Sequence, residues 1–392
     1  MTMSDVAIVG GGPAGCSAAI TLARAGARVV LLEAGSYPHP KVCGEFLSPE
    51  CGAALDALGV TPLLPASGPA RIETALITAP DGAARELRLP GIALGISRSA
   101  LDEALARRAR HAGAEVREGT RVTAIEGTLR DGFRLQLRAA AGTSGLRARV
   151  VIAAHGRRGA LDRALRRPFL RRRHPFVALK NHFHGPPVPA RVELHAFPGG
   201  YCGISEIEGG LANVCLLARE SVFRGRDVAA FLEWMQARNP RLREWLSRAE
   251  PVRERWMSIA QVPFARKGPL VGDLLMAGDA AGLIAPLAGD GIAMALHSGR
   301  LAALLTAAFL SGGLSAEQLR SRYAADWRGD FRSRLMLGRG LQALMLRPRL
   351  LSPALRLVNV LPSLGNSLVA GTRGAWDPAS PDPSRLPSGG GC

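Results

Sequence analysis

Apolar and polar positions recur along the chain in two periods, and the switches between them mark out the elements. Residues 5–9 are a short apolar run, the pattern of a buried parallel strand. Gly10 to Gly15 follow with almost no side-chain bulk, and residues 16–25 have the small apolar make-up of a packed helix. A second apolar strand over 28–32 ends in Glu33. Residues 50–58 read as a short helix, 71–97 as strands with a hairpin turn at Pro80-Asp81-Gly82, and 98–112 as a helix. A three-strand meander is predicted over 121–125, 133–138 and 146–154. Strand patterns at 176–184, 191–197, 201–206 and 212–217 precede a helix around 228–247. From Leu274 an apolar strand runs into Gly278-Asp279, and a helix follows over 292–310. Helical periods fill 315–370, and the last twenty or so residues, rich in Pro, Gly and Ser, have the composition of a disordered tail.

The first of these units carries specific chemistry. Gly10-x-Gly12-x-x-Gly15 stands between a strand and a helix, and Glu33 closes the next strand 23 positions after Gly10. Gly10 permits a tight turn, Gly12 lets the backbone approach a pyrophosphate, and Gly15 lets the helix sit close on the strand. Pro13 and Ala14 lie in the turn that leads into the helix, whose N–H groups and positive end suit the phosphates. Glu33, beside Ala34, is placed to accept from a ribose hydroxyl, close to the usual ~20-residue spacing. The unit implies a bound dinucleotide. A signal peptide is excluded, because Asp5 occupies the basic region and glycines interrupt the apolar one.

The strand ending in Gly278-Asp279, with Pro286, Gly289, Gly291 and Ile292 before a long helix, suits a ribityl chain and an isoalloxazine ring. Together with the N-terminal fingerprint and Arg98-x-x-Leu101-Asp102, these residues resemble the FAD-dependent superfamily of p-hydroxybenzoate hydroxylase-like monooxygenases and geranylgeranyl reductases, over roughly residues 3–310. The resemblance implies an α/β fold with a discontinuous Rossmann-type FAD-binding domain (1–70, 98–164 and 266–312). It further implies an antiparallel β-sheet substrate domain (71–97 and 165–265), with C-terminal helices over 313–370 and a tail over 371–392. It implies FAD as cofactor, with NAD(P)H or an external electron donor, and it brings Arg98 to the cofactor.

Lys41-Val42-Cys43-Gly44-Glu45 looks like the K-x-C-G motif of geranylgeranyl reductase-like proteins, in which the cysteine lies near the flavin ring and the glycine permits close approach. Cys43 is accordingly a candidate proton donor or a packing thiol, and Glu45 a candidate acid or a solvated side chain. Alternation along 176–184 puts Ala178, Lys180, His182 and His184 on one face, and 191–197 puts Glu193, His195 and Phe197 on one face. If these meet over the flavin they form a polar wall with His182 as an acid/base; otherwise they face solvent. Tyr201, in a Gly-Gly-Tyr-Cys-Gly turn, is a further candidate donor. Ala154-His155-Gly156 stands where many relatives have Ala-Asp-Gly, which weakens a hydroxylase route to NADPH.

Composition is that of a globular enzyme, 47% hydrophobic and 21% charged over 392 residues. The net charge of +18 comes with only three lysines, Lys41, Lys180 and Lys267, among 50 basic residues. Such arginine enrichment accompanies G+C-rich genomes, and no nucleic-acid-binding motif goes with it. Six cysteines without a C-x-x-C pair or a metal spacing fit free thiols in a reducing cytoplasm and argue for no bound metal. No uninterrupted apolar run reaches the ~18 residues of a membrane span. The single glycine fingerprint excludes a second nucleotide domain, and the Gly-Trp-x-Trp-x-Ile-Pro segment of tryptophan halogenases is missing.

Two enzymatic readings follow. One is reduction of a lipophilic or polyketide/isoprenoid-type substrate, free or carrier-bound, by hydride from flavin N5. The other is hydroxylation of a phenol through a C4a-hydroperoxyflavin. A third, a flavoprotein without turnover, leaves a redox cofactor idle. Leucines interleaved with arginines over 331–362 also suggest peripheral contact with the inner face of a membrane.

Overall fold

The computed structural model describes residues 3–374 and builds two sheets from interleaved stretches of chain. In the first sheet, Ser4–Val9 pairs in parallel with Val29–Leu32 on one side and Gly142–Ala153 on the other. Glu115–Arg117 and Leu274–Met276 extend it in parallel on either side, and Leu270–Val271 closes the latter edge antiparallel. Val6, Ala7 and Ile8 are wholly buried, as strands covered on both faces must be. Arg121–Thr128 and Gly132–Ala139 complete the expected meander with Gly142–Ala153, antiparallel.

Two helices cross on this sheet with almost no space between them. Helix Pro13–Arg24 meets helix Gly291–Leu310 at Gly299, where a Cβ would stand 2.1 Å from the Ala14 carbonyl oxygen. Ser17 Oγ donates to the Leu296 carbonyl at 2.7 Å across the same crossing. By length and composition, Gly291–Leu310 is a helix able to cross a membrane, which counting uninterrupted apolar runs overlooked. Two thirds of it is buried, and here it is a core helix.

The second sheet has nine strands, running from Glu250–Pro251 through Phe176–His184, Ala212–Arg219, Gly200–Glu206, Arg191–Phe197, Ala70–Thr78 and Ala84–Gly95 to Phe46–Leu47, with Met257–Ala260 also on Phe176–His184. It is mixed rather than antiparallel, because Arg191–Phe197 runs parallel to Ala70–Thr78. Between those strands the chain leaves to build residues 98–164 of the first sheet, so a crossover replaces a hairpin. Phe46–Leu47 pairs with Ala84–Gly95, so the segment after Lys41 is stitched into the second sheet.

Leu179, Phe183 and Phe197 pack on one face of this sheet against Phe231, Leu242 and Trp245. The helix expected around 228–247 is two helices, Val228–Gln236 and Pro240–Leu246. Pro240 has no N–H for a continuing helix, and the Asn239 side chain accepts from Leu242 N to start a new one. Helix Ala316–Met345 packs on the FAD-type domain, where Tyr323 donates to the Met276 carbonyl at 2.6 Å. Helices Pro348–Val360 and Pro362–Gly371 lie on strand Ala84–Gly95. The tail beyond Gly374 lies outside the described residues.

Candidate active site

A cavity of about 750 Å³ lies between the two sheets. One end is walled by Gly10, Gly12, Pro13 and Ala14 with Glu33 and Ala34. The three fingerprint glycines meet different surroundings. A Cβ on Gly10, whose φ is +103°, would press to 2.4 Å from the Ala154 carbonyl oxygen, and one on Gly15 to 1.8 Å from the Gly10 carbonyl oxygen. Gly15 accordingly lies under the helix and does not line the cavity. A Cβ on Gly12 would meet only the Arg98 guanidinium, at 3.6 Å. Gly10 and Gly15 keep the turn closed, and Gly12 keeps the cavity open.

Glu33 Oε2 accepts from Gly11 N at 2.6 Å and Oε1 from Gly35 N at 3.0 Å, which fixes the carboxylate at the cavity rim. Arg98 reaches in from the start of helix Arg98–His111, capped by Ser97. Its guanidinium is forked onto Asp102, with Nε at 2.9 Å and the terminal nitrogen at 2.8 Å. Lys41 Nζ stands 3.2 Å from the same carboxylate. Burial tends to raise the Asp102 pKa, but Arg98 and Lys41 outweigh it and hold the group below the usual carboxylate range. Asp102 thus orients two cations beside the Gly12 opening.

Gly278, Asp279, Pro286, Gly289, Gly291 and Ile292 wall the middle of the cavity. Gly278 is left-handed at φ +59° and packs against Ala14; Gly289, at φ +67°, lies where a Cβ would stand 2.7 Å from the Phe46 ring. Asp290, wholly buried, turns its carboxylate to Arg334 at 3.2 Å. Burial and the nearby Glu50 push its pKa up to about 8 against the pull of Arg334.

Lys267 braces this region from behind. Its Nζ donates to the Arg157 carbonyl and, at 2.8 Å, to the Asp279 carbonyl, joining two loops of the cavity wall. Burial pushes its pKa down to about 8, with Asp279 and Asp162 pulling the other way. Cofactor affinity is therefore expected to fall as pH rises through about 8, where the ammonium loses its charge. Lys267→Met should bind ~10- to 100-fold more weakly at neutral pH, the value of charged hydrogen bonds, and lack the pH step. Titration by cofactor fluorescence checks this, and matching pH profiles for the two proteins would refute it.

The segment after Lys41 forms the floor between the domains. The Asn213 side chain donates to the carbonyls of Cys43 at 3.2 Å and Gly44 at 2.8 Å, and Arg157 donates to Val42 at 2.8 Å. Cys43, Gly44 and Glu45 line the cavity. Glu45 adopts φ +53°, a left-handed conformation uncommon for a side chain of this size. Its buried carboxylate accepts from Arg98 N at 2.7 Å and from Lys180 Nζ, and pairs with His182 Nε2 at 2.6 Å. Burial raises its pKa, but His182 and Lys180 outweigh burial and hold it below the usual carboxylate range. A carboxylate saturated in this way is a tether, not a free acid.

His182 does not line the main cavity. With Lys180, Ser97, Glu208 and Arg253 it lines a second cavity of about 160 Å³ on the far side of Glu45. Of the two placements open to Glu193 and His195, over the flavin or toward solvent, neither occurs, since both are buried and neither lines the cavity. Val192 and Leu194 face the cavity, while His195 Nδ1 is 2.9 Å from Thr78 Oγ1, in a buried network with Asn239 on the helix-covered face. The cavity wall there is apolar, with Ala178, Leu194, Leu217, Ile259 and Val262. Tyr201 is buried in this wall, its hydroxyl facing the Leu287 backbone without a well-formed hydrogen bond. His155 Nε2 lies 3.1 Å from Asp162, which also binds Arg167, so its imidazole is held in the wall. Among the described residues no cluster suited to a metal ion occurs.

The FAD-binding domain family matches residues 3–328. The chain belongs to that family. Among curated relatives it is 30% identical to a menaquinone reductase of Mycolicibacterium smegmatis, over 80% of this chain and 78% of that protein. It is 31% identical to a digeranylgeranylglycerophospholipid reductase of Methanopyrus kandleri, over 83% of each. Among solved structures it superposes on a geranylgeranyl bacteriochlorophyll reductase-like protein of Thermoplasma acidophilum with a TM-score of 0.70 at 23% identity, over 94% of this chain and 92% of that one. A flavin-dependent brominase gives 0.78 at 18% identity over 98% and 97%, which speaks for the fold alone.

This FAD-binding chain is an FAD-dependent oxidoreductase, and its site fits the cofactor on its own evidence. The open space over Gly12, the helix end at Pro13, the Asp102-held Arg98 and the Glu33 carboxylate are what an adenosine diphosphate half needs. Asp279 and the backbone at Gly289–Gly291 are placed for the flavin half. Asp102, Lys267 and Asp290 support these contacts from behind; Asp102 and Asp290 stood within sequence motifs, and Lys267 did not.

Proposed function

We propose that the protein reduces a carbon–carbon double bond in a lipophilic, isoprenoid-type substrate. The observation that carries this is the apolar continuation of the FAD cradle. Beyond Cys43 the cavity is walled by Ala178, Leu194, Leu217, Ile259, Val262 and Leu283, a lining for a hydrocarbon rather than for a charged or richly hydroxylated molecule. The relatives named as reductases of menaquinone and of a digeranylgeranyl lipid support the same reading.

Reduced FAD supplies a hydride in such a reaction. The chain must then supply a proton to the other carbon. Cys43 is the group for this: it lines the cavity, the Glu45 N–H donates to its sulfur at 3.4 Å, and the Arg98 guanidinium interacts with it. The thiol gives its proton to the substrate, the resulting thiolate is held by Arg98, and water restores the proton. The apolar wall excludes solvent from the reacting atoms. Electrons arrive from NAD(P)H or an external donor at the FAD, since the chain carries one nucleotide fingerprint only.

The test is anaerobic. Protein whose FAD has been reduced with dithionite is mixed with a geranylgeranyl lipid. Return of the yellow absorbance at a rate set by the lipid concentration is the expected result. Cys43→Ser should slow this step ~10²-fold or more, the usual worth of a positioned acid, with FAD content unchanged. Reoxidation that needs oxygen and a phenol, and ignores the lipid, would replace the proposal with the hydroxylase reading.

A further inference from the structure

Nine large hydrophobic residues are exposed among the described residues, and five of them, Met336, Leu350, Leu357, Val360 and Leu361, belong to one short stretch of the C-terminal helices. Helix Pro348–Val360 has two apolar faces. Leu351 and Leu355 are buried in a cluster that holds Val42, Ala178, Tyr201, Leu217, Val262 and Leu283, residues that also wall the cavity. On the other side, Leu350, Leu357 and Val360 follow one another at seven- and three-residue steps, with Leu361 at the helix end, which places them on one outward face. Leu350, Leu357 and Leu361 are each about half exposed and Val360 is 77% exposed.

Charge accompanies this face. Residues 331–374 contain seven arginines and no acid. Arg334 is taken up by Asp290 in the interior, and Arg356 shares its charge with Asp81 at 2.9 Å on the surface. Arg347 and Arg349, exposed at the start of the helix, face solvent beside Leu350. Of the leucines that the sequence offered over 331–362, the structure buries Leu335, Leu346, Leu351 and Leu355 and leaves Leu350 and Leu357 outside.

We infer that the outward face of helix Pro348–Val360 docks the protein on an anionic lipid bilayer. Four aliphatic side chains on one helix face, with Arg347 and Arg349 on its flank and Asp81 already paired with Arg356, is the arrangement of a helix that lies in the membrane interface. The occupant is a lipid surface rather than an acidic protein, because the face is aliphatic along its centre and its charges lie only at its edge. The same helix backs the cavity wall, so docking sets the substrate chamber one layer of side chains from the bilayer. This goes beyond the reductase proposal and is measured without turnover, so either can fail alone.

The experiment floats the full-length FAD-loaded protein with vesicles of phosphatidylcholine containing phosphatidylglycerol, at low and high salt, beside vesicles of phosphatidylcholine alone. Binding to the anionic vesicles at low salt, weakened by salt, is expected. Leu350→Glu with Leu357→Glu should lower the vesicle affinity at least ~10-fold while the protein stays yellow and folded. Arg349→Ala should lower it ~5-fold. Failure to float with anionic vesicles at low salt overturns the inference, as does equal flotation of the Leu350→Glu/Leu357→Glu variant. Should the wild type be a dimer in solution that this variant splits, with vesicle binding unaltered, the face is a contact between copies and the inference is wrong.

Discussion

Gly12→Val is expected to purify as a folded, colourless protein. Gly12 has φ −79°, a conformation any residue adopts, and the space above it is open to the cavity apart from the Arg98 guanidinium at 3.6 Å. The valine therefore costs the fold little and fills the volume a pyrophosphate needs. FAD affinity should fall by more than ~100-fold, on the order of 3 kcal/mol, the scale of inserting methyl groups into a packed site. Gly15→Ala is the contrasting variant. Its Cβ would stand 1.8 Å from the Gly10 carbonyl oxygen, so it should lower the melting temperature before any cofactor is added. Thermal unfolding of the two apoproteins, with FAD titration of each, separates the roles. Stoichiometric FAD on purified Gly12→Val would refute the reading of the cradle.

Glu45→Ala is expected to destabilise the protein by ~3–5 kcal/mol, the cost of removing one partner from a buried ion pair. It strands Lys180, whose side chain is 2% exposed, and deprives His182 and Arg98 N of their acceptor. It also frees a left-handed residue whose conformation those three contacts sustain. Glu45→Gln, which keeps the shape and one acceptor, should lose less. The pH dependence has a definite sign. The Glu45 pKa is lower in the folded protein than in the unfolded chain, so its stabilisation is present above the ordinary carboxylate pKa and is lost as pH falls through the folded value. Wild-type melting temperature should drop more steeply on acidification than that of Glu45→Gln. Parallel acid profiles would show that the tether is energetically idle.

The cradle was legible in the sequence because its parts are local. Gly10, Gly12, Gly15 and Glu33 act through a turn and two adjacent strands, and their spacing alone fixes their geometry. The Glu45 tether was not, because Lys180 lies 135 positions away and is delivered by a distant strand of the second sheet. Alternation correctly put Lys180 and His182 on one face of their strand, but not the side of the sheet from which a partner would come. For Glu193 and His195 the same rule gave a shared face and left it to the flavin or to solvent, whereas that face carries helices Val228–Gln236 and Pro240–Leu246. The parallel pairing of Arg191–Phe197 was hidden for a related reason, since an excursion through another domain separates it from Ala70–Thr78. The lysines carry a further signal. In a chain that otherwise takes arginine, the three lysines contact Asp102, Glu45 and the Asp279 carbonyl, all around the cavity. Asn239-Pro240 was likewise a readable helix break and start.

The central claim, reduction of an isoprenoid-type double bond over the FAD site, is tested most directly by the mass of the product. Purified holoprotein is given an electron donor and a geranylgeranyl lipid with oxygen excluded, and the lipid is analysed by mass spectrometry. A product heavier by two hydrogens per double bond, gained without oxygen and in lower yield with Cys43→Ser, is the expected result. A lipid that returns unchanged, while an aromatic substrate gains one oxygen atom in air, would contradict it.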